Sequence, residues 1–171
     1  MAVHEIRPVD RRRWQNGIVR LLERFPREHA ALEYAMATFG DAFELRSFKQ
    51  AYDAEDDLAA YTRAQAVAHA LGRVQNLMAE LAEMGVQLAS LAPHARGSSS
   101  ERAFASLREA GAIDGALCRR LVRAQAARNR IEHTYLDLSA GEVHRAARLV
   151  REIAPQFLER YVDWIEPYLP R

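Results

Sequence analysis

A stripe of apolar residues in one segment constrains the fold more than any other feature of this sequence. The apolar positions recur at steps of three and four residues: Leu58, Tyr61, Ala64, Val67, Ala68, Leu71, Val74, Met78, Leu81 and Met84. This spacing predicts one long amphipathic helix that begins at Asp53 and ends near Leu88 to Leu91. At ~1.5 Å per residue the helix is roughly 50 Å long, which is long enough to form the spine of a bundle.

The composition favours helices in the rest of the chain as well. The chain has 171 residues, the size of one domain, but only 8 glycines and 6 prolines. A sheet protein of this length needs many more turn residues and more alternation of valine, isoleucine and threonine. We therefore predict an all-α fold, an antiparallel helical bundle with one long central helix and a kinked C-terminal helix.

Proline and glycine positions divide the N-terminal part of the chain. A first helix is predicted over residues 26–39, because proline suits a first turn and Gly40 follows the apolar stripe. Residues 1–25 are predicted to be a basic N-terminal tail or extra helix, and residues 26–171 to be the bundle. Residues 41–52 fit a short helix or an ordered loop, with their aromatic side chains as core anchors.

Three later helices have clear N-terminal signals. In chain order these are the Ser98–Glu101 capping box, Asp114 as an N-cap, and the Ser139–Glu142 capping box. Gly111 is placed to end the helix that precedes Asp114. The last helix contains Pro155, which we expect to kink or break it after Ala154.

Several classes of protein are excluded by what the sequence lacks. Cys118 is its one cysteine, which excludes an intrachain disulfide framework and a cysteine-based zinc site. The histidines show no metal-ligand spacing, so we expect neither a metal site nor a cofactor. No apolar run approaches the ~18 residues of a membrane helix, and the basic N-terminus lacks the apolar core of a signal peptide. We expect a cytoplasmic protein that does not bind membranes.

The segment over residues 117–135 differs from the rest of the chain in charge. It contains five arginines against one acid, Glu132, a local charge of +4. These arginines are Arg119, Arg120, Arg123, Arg128 and Arg130. An excess of one sign indicates an anionic partner, and guanidinium groups match phosphate oxygens. Because 23 of the 24 basic residues in the chain are arginine, codon bias in a GC-rich genome is an alternative explanation of the cluster.

Asn129, His133 and Tyr135 are interleaved with these arginines. At ~100° per residue, Asn129 and His133 share one helix face, whereas Arg128 and His133 lie ~140° apart. Two copies of the helix across a dimer axis bring both groups to one groove more easily than one helix does. Histidine moves protons near neutral pH, and arginine stabilises the charge that develops on a phosphorane. These residue types therefore suit cleavage of RNA without a metal.

The string RNRIEHTY over residues 128–135 resembles the R-x-x-x-x-H-x-Y signature of HEPN domains. Upstream, FASLREAGAIDGALCRRLVRAQAARNR resembles the segment that precedes this motif in the HepT-type toxins, including the turn over residues 111–114. The resemblance extends over residues 53–165 and implies a HEPN-like bundle. Glu132 departs from it, since this branch usually has a small apolar residue before the histidine. Residues 1–25 have no clear counterpart.

The resemblance implies a metal-independent endoribonuclease toxin that acts as a homodimer and cleaves RNA at the dimer cleft. It assigns Arg128 and His133 to catalysis and Asn129 to an orienting role. Tyr135 becomes the hydroxyl to which a minimal nucleotidyltransferase antitoxin adds AMP, which blocks the RNA groove. The candidate RNA-binding residues are Arg119, Arg120, Arg123 and Arg130.

A non-catalytic helical module that binds nucleotides, RNA or a partner protein is the alternative interpretation. Glu132 favours it, because an i,i+4 ion pair with Arg128 would neutralise the guanidinium. Such a pair on a helix surface contributes ~0.3–0.5 kcal/mol to stability. Without the motif, that ion pair would be the simpler explanation of both residues.

Overall fold

The computed structural model describes residues 8–91, 97–133 and 139–170, with the side chains of residues 8 and 128–133 outside the description. Six α-helices and no β-strand occur within these ranges. They are α1 (Pro8–Ala37), α2 (Leu45–Tyr52), α3 (Leu58–Leu88), α4 (Ser99–Glu109), α5 (Gly115–His133) and α6 (Ala140–Ile165). A short 3-10 turn over Glu166–Tyr168 follows α6. The predicted all-α bundle is confirmed.

The long helix α3 is the centre of the bundle, as its apolar stripe predicts. Its 31 residues correspond to ~46 Å, and it packs against α1, α2, α4, α5 and α6. The predicted start at Asp53 is wrong by five residues, because Asp57 caps the helix: its Oδ1 accepts from the Ala60 N–H at 2.9 Å. Leu58 and Tyr61, the first two residues of the predicted stripe, are exposed.

Helix α1 begins 18 residues earlier than the sequence predicts and runs through Pro26 without ending. The proline lacks the N–H that would complete one turn of the helix. Burial of Ile18, Leu21 and Phe25 on its N-terminal side outweighs that loss. The chain before Pro26 is therefore part of the packed helix from Pro8 onward. The division of the chain into an N-terminal part, residues 1–25, and a bundle, residues 26–171, stays a prediction.

The segment between α1 and α3 forms a small aromatic cluster, which confirms the predicted core anchors. The rings of Phe43 and Phe48 are both buried, with centroids 5.2 Å apart. Gly40, with φ +88°, takes a left-handed conformation in the turn that follows the end of α1 at Ala37. Buried His144 of α6 holds the segment in place, because its Nε2 lies 2.6 Å from the Phe43 carbonyl oxygen and its ring stacks on the Phe43 ring.

Both predicted capping boxes are present and define where α4 and α6 begin. In each box the serine hydroxyl accepts from the glutamate N–H, while the glutamate carboxylate accepts from the serine N–H. Helix α6 continues through Pro155 instead of breaking after Ala154, with Ile153, Ala154 and Phe157 buried around the proline. The kink expected there stays a prediction. None of the described helices is long and apolar enough to cross a membrane.

Candidate nucleic-acid interface

The N-terminal half of α5 is fixed to the bundle by one cap and one apolar face. The Asp114 Oδ1 accepts from the Leu117 N–H at 2.8 Å, and this hydrogen bond lowers the pKa of the Asp114 carboxyl below its ordinary value. Leu117, Cys118 and Leu121 are buried on the face that meets the other helices. Burial raises the pKa of the Cys118 thiol, so the thiol is protonated at neutral pH. The buried face determines which arginines face solvent.

Two of the predicted RNA-binding arginines, Arg119 and Arg123, lie on the solvent face of α5. Both are exposed, and neither forms an ion pair with another residue that the structure describes. Arg120 differs, because its Nη2 lies 2.7 Å from the Glu152 Oε1 on α6 and its side chain is partly covered. An acidic partner weakens the case for Arg120 as an RNA contact. The side chain of Arg130 lies outside the described residues.

The ion pair between Arg120 and Glu152 also shows how α5 and α6 are aligned. Arg120 lies 13 residues before the end of α5, and Glu152 lies 12 residues after the start of α6. Two packed helices joined by a short connection run antiparallel, and each residue adds ~1.5 Å along either axis. Equal counts from the ion pair toward the connection therefore place Arg123 about level with Leu149. The same count places Arg128 about level with His144.

The predicted catalytic pair lies in the last two turns of α5. The helix is continuous through both positions, so the ~140° separation between Arg128 and His133 applies to their places on the backbone. The side chains of Arg128, Asn129 and His133 lie outside the described residues, as does that of Glu132. Tyr135 lies outside the described residues altogether. The roles assigned to these five residues therefore stay predictions.

A buried glutamine on α3 contacts α5 at the turn that leads to Arg128. The Gln75 Nε2 donates to the Ala124 carbonyl oxygen at 2.7 Å, and the Gln75 side chain is fully buried. In an α-helix, the carbonyl of Ala124 also accepts from the N–H of Arg128. Gln75 therefore binds the same oxygen that holds the backbone of Arg128.

Gln75 and two further residues of α3 and α5 carry buried polar atoms without a partner among the described residues. The Gln75 Oε1, the Asn76 Oδ1 and the Gln125 Nε2 are buried without a hydrogen-bond partner among the described residues. Gln125 is one helical turn before Asn129, so the two positions share a face of α5. The sequence analysis did not select Gln75 or Gln125. The available signal was a glutamine at a position where the apolar stripe of α3 predicts burial.

Metal-ligating side chains are not clustered in the part of the chain that the structure describes. No group of three or more histidine, cysteine, aspartate or glutamate residues there is placed to hold a metal ion. The expectation that the protein uses no metal stays a prediction, to be tested on the protein itself.

The protein is an all-α bundle with a long central helix, and its packed helices α5 and α6 carry arginines that face solvent. These two features define its structural class. The family model described as Ribonuclease HepT-like matches residues 40–160, which include α2 to α5 and most of α6. The chain belongs to the HepT-like ribonuclease family, as the motif over residues 128–135 predicts. No curated protein and no solved structure matches the chain.

Proposed function

We propose that this protein is a metal-independent endoribonuclease that acts as a toxin and cleaves RNA at the cleft of a homodimer. The observation that carries the proposal is the family match, which spans the complete Arg128–Tyr135 motif. Two features of α5 support it. The helix is continuous through Arg128 and His133, and it exposes Arg119 and Arg123 to solvent in its N-terminal half.

In the proposed reaction, His133 acts as a general base on a ribose 2′-hydroxyl. The 2′-oxygen forms a bond to the adjacent phosphorus, and the bond from phosphorus to the 5′-oxygen breaks. His133 takes the proton of the nucleophile, and the leaving oxygen receives a proton from an acid in the site or from water. Arg128 stabilises the negative charge on the phosphorane, and Asn129 orients the reacting groups. The products end in a 2′,3′-cyclic phosphate and a 5′-hydroxyl.

Tyr135 gives the proposed enzyme a route to inhibition. A minimal nucleotidyltransferase antitoxin would transfer AMP from ATP to the tyrosine hydroxyl and release pyrophosphate. The added phosphate carries a negative charge into a groove that binds phosphates, so it would exclude RNA by occlusion and by repulsion. A Tyr135→Phe protein should resist this inhibition and still cleave RNA.

The direct test is cleavage of a labelled RNA by the purified protein in the presence of EDTA. We expect His133→Ala to lose ~10²–10⁴-fold in rate, and Arg128→Ala to lose ~10²–10³-fold. Arg46→Ala is the matched control, because Arg46 is an exposed arginine on α2 outside the motif. A His133→Ala protein that cleaves as fast as the wild type contradicts the mechanism and favours the non-catalytic module. Inhibition by EDTA contradicts the metal-free reaction.

The homodimer can be tested with the same two variants. If each cleft takes Arg128 from one protomer and His133 from the other, a mixed dimer of Arg128→Ala and His133→Ala protomers contains one intact site. Equal mixing with free exchange of protomers makes about half of the dimers mixed, so the mixture should recover about a quarter of the wild-type rate per dimer. If both residues of a site come from one protomer, mixing restores nothing. Light scattering that shows a monomer at micromolar concentration also contradicts the dimer.

A further inference from the structure

Helix α6 presents a second row of arginines that the motif does not include. Arg145, Arg148 and Arg151 follow one another at three-residue spacing, which keeps them near one face of the helix over about 9 Å. The three line a groove of about 610 Å³ together with Leu149, Glu152 and Glu33 of α1. Arg145 and Arg148 are exposed, and Arg151 is half-buried. The groove is therefore open to solvent and lined by guanidinium groups.

Each of the two acids of this groove lies close to a nitrogen of another side chain, an arginine for Glu152 and a histidine for Glu33. The Glu152 Oε1 lies 2.7 Å from the Arg120 Nη2, and the Glu33 Oε1 lies 3.9 Å from the His29 Nε2. By contrast, Arg145 and Arg148 form no ion pair with any residue in the described ranges. The lining has three arginines against two glutamates, a charge of +1, and Glu152 is paired with Arg120 from outside the groove, so the groove attracts anions.

The alignment of α5 and α6 places this groove at about the level of the residues that precede the proposed cleavage site. Counted from the ion pair between Arg120 and Glu152, Arg148 is about level with Ala124, and Arg145 is about level with Ala127. These positions on α5 come immediately before Arg128. Glu152 connects the two surfaces, because it lines the groove and pairs with Arg120 of α5. A strand of RNA that runs across α6 at this level would meet both the groove and Arg128.

We propose that the groove binds the phosphate backbone of single-stranded RNA beside the scissile bond, an inference that rests on the proposed ribonuclease function. Guanidinium forks match phosphate oxygens, and a row of them follows a backbone better than it recognises a single ion. An acidic protein surface fits this groove less well, because the core of a protein interface is depleted of charge and enriched in aromatic residues. Among the six residues named here, Leu149 is the one apolar side chain.

The test measures binding of a fluorescent 2′-O-methyl RNA of about 15 nucleotides, which cannot be cleaved because it has no free 2′-hydroxyl. Replacing Arg145 and Arg148 together by glutamine should weaken binding about tenfold at moderate salt and should lower the salt dependence by about 0.7 per lost phosphate contact. The matched control is Arg46→Gln with Arg160→Gln, since both arginines are exposed, lie outside the groove and give the same charge change. The control should stay within twofold of wild type. The lysine pair, Arg145→Lys with Arg148→Lys, should keep most of the affinity.

Three outcomes overturn the proposal. Unchanged affinity and salt dependence in the groove variant would show that the RNA does not touch these arginines. An equal loss in the control would show that overall charge, and not the groove, attracts the RNA. Unchanged RNA binding with loss of binding to an acidic partner protein would assign the groove to that partner. Because the probe is not cleaved, groove-dependent binding without any cleavage of ordinary RNA would contradict the proposed function alone.

Discussion

Two buried hydrogen bonds join α3 to its neighbours, and their surroundings differ. In the first, the Gln75 Nε2 of α3 donates to the Ala124 carbonyl of α5 at 2.7 Å. In the second, the Tyr161 hydroxyl of α6 donates to the Leu81 carbonyl of α3 at 2.6 Å. The hydroxyl of Tyr161 has used its one proton, and burial raises the pKa of this tyrosine far above its ordinary value. Gln75 differs, because its own Oε1 is buried without a partner among the described residues.

The packing around Tyr161 stabilises the bundle through contacts between aromatic rings. The rings of Phe157 and Trp164 lie 5.4 Å and 6.0 Å from its ring, between centroids. Gly85 of α3 makes the close approach possible, because a Cβ there would lie 2.7 Å from the Tyr161 hydroxyl oxygen. The rings of Phe157, Tyr161 and Trp164 contribute apolar contact, and the buried Tyr161 hydroxyl is paired.

The contact at Gln75 fixes the position of α5 through one hydrogen bond. A buried polar group without a partner costs about 1–3 kcal/mol relative to a paired one. The Gln75 Oε1 on α3 and the Gln125 Nε2 on α5 are buried atoms without a partner among the described residues. An apolar residue at Gln75 would avoid the unpaired oxygen but would lose the hydrogen bond to Ala124. The comparison suggests that one contact stabilises the bundle and the other positions the site.

The largest effect on stability should come from the aromatic contact. Phe157→Ala removes a fully buried ring that meets Phe104 of α4 and Tyr161. We expect a loss of ~3–5 kcal/mol in the free energy of unfolding, from lost burial and from the cavity left behind. Urea denaturation followed by circular dichroism measures it. A loss below ~1 kcal/mol would contradict the view that this region dominates stability.

The next effect should appear in catalysis. Gln75→Leu keeps the volume but removes the donor to the Ala124 carbonyl, so the turn before Arg128 loses its link to α3. Because small displacements of reacting groups slow catalysis strongly, we expect kcat to fall about tenfold or more with little change in KM. Single-turnover cleavage of RNA measures it. Gln75→Glu removes the same donor and should not rescue the rate.

Tyr161→Phe is the matched control for Gln75→Leu. It removes the other buried hydrogen bond to a helix carbonyl, at Leu81, which lies about 9 Å along α3 from Gln75. We expect unfolding free energy to fall by ~1 kcal/mol and kcat to stay unchanged. If both variants lose stability and rate in the same proportion, the contact at Gln75 is structural only and the comparison fails.

The same comparison shows what a sequence can predict. Both capping boxes and Gly111, which follows the C-cap of α4 with φ +76°, are local patterns, and the structure confirms them. The predicted start of the first helix is wrong because burial of Ile18 and Phe25 in the core extends α1 through Pro26. A glutamine within the apolar stripe of α3 indicates a buried polar contact, but the partner of Gln75 could not be predicted because it is a backbone carbonyl. The motif at Arg128 and His133 was found by resemblance to a family, and its side chains lie outside the described residues.

The smallest effect is expected at the N-terminal cap of α5, which is the other contact that fixes the position of this helix. The Leu117 N–H lowers the pKa of the exposed Asp114 carboxyl, so the charged form is favoured in the folded state. A group whose pKa falls on folding adds stability above its unfolded pKa and loses it as the pH falls through the folded value. Asparagine also caps helices but does not titrate. The advantage of wild type over Asp114→Asn should therefore be constant above about pH 5 and shrink below the ordinary pKa of 3.8. Urea denaturation of both proteins between pH 3 and pH 7 measures this difference. If the difference in unfolding free energy stays constant down to pH 3, the cap works through its hydrogen bond alone. The negative charge of Asp114 then adds nothing to the position of α5, and a neutral amide serves equally well.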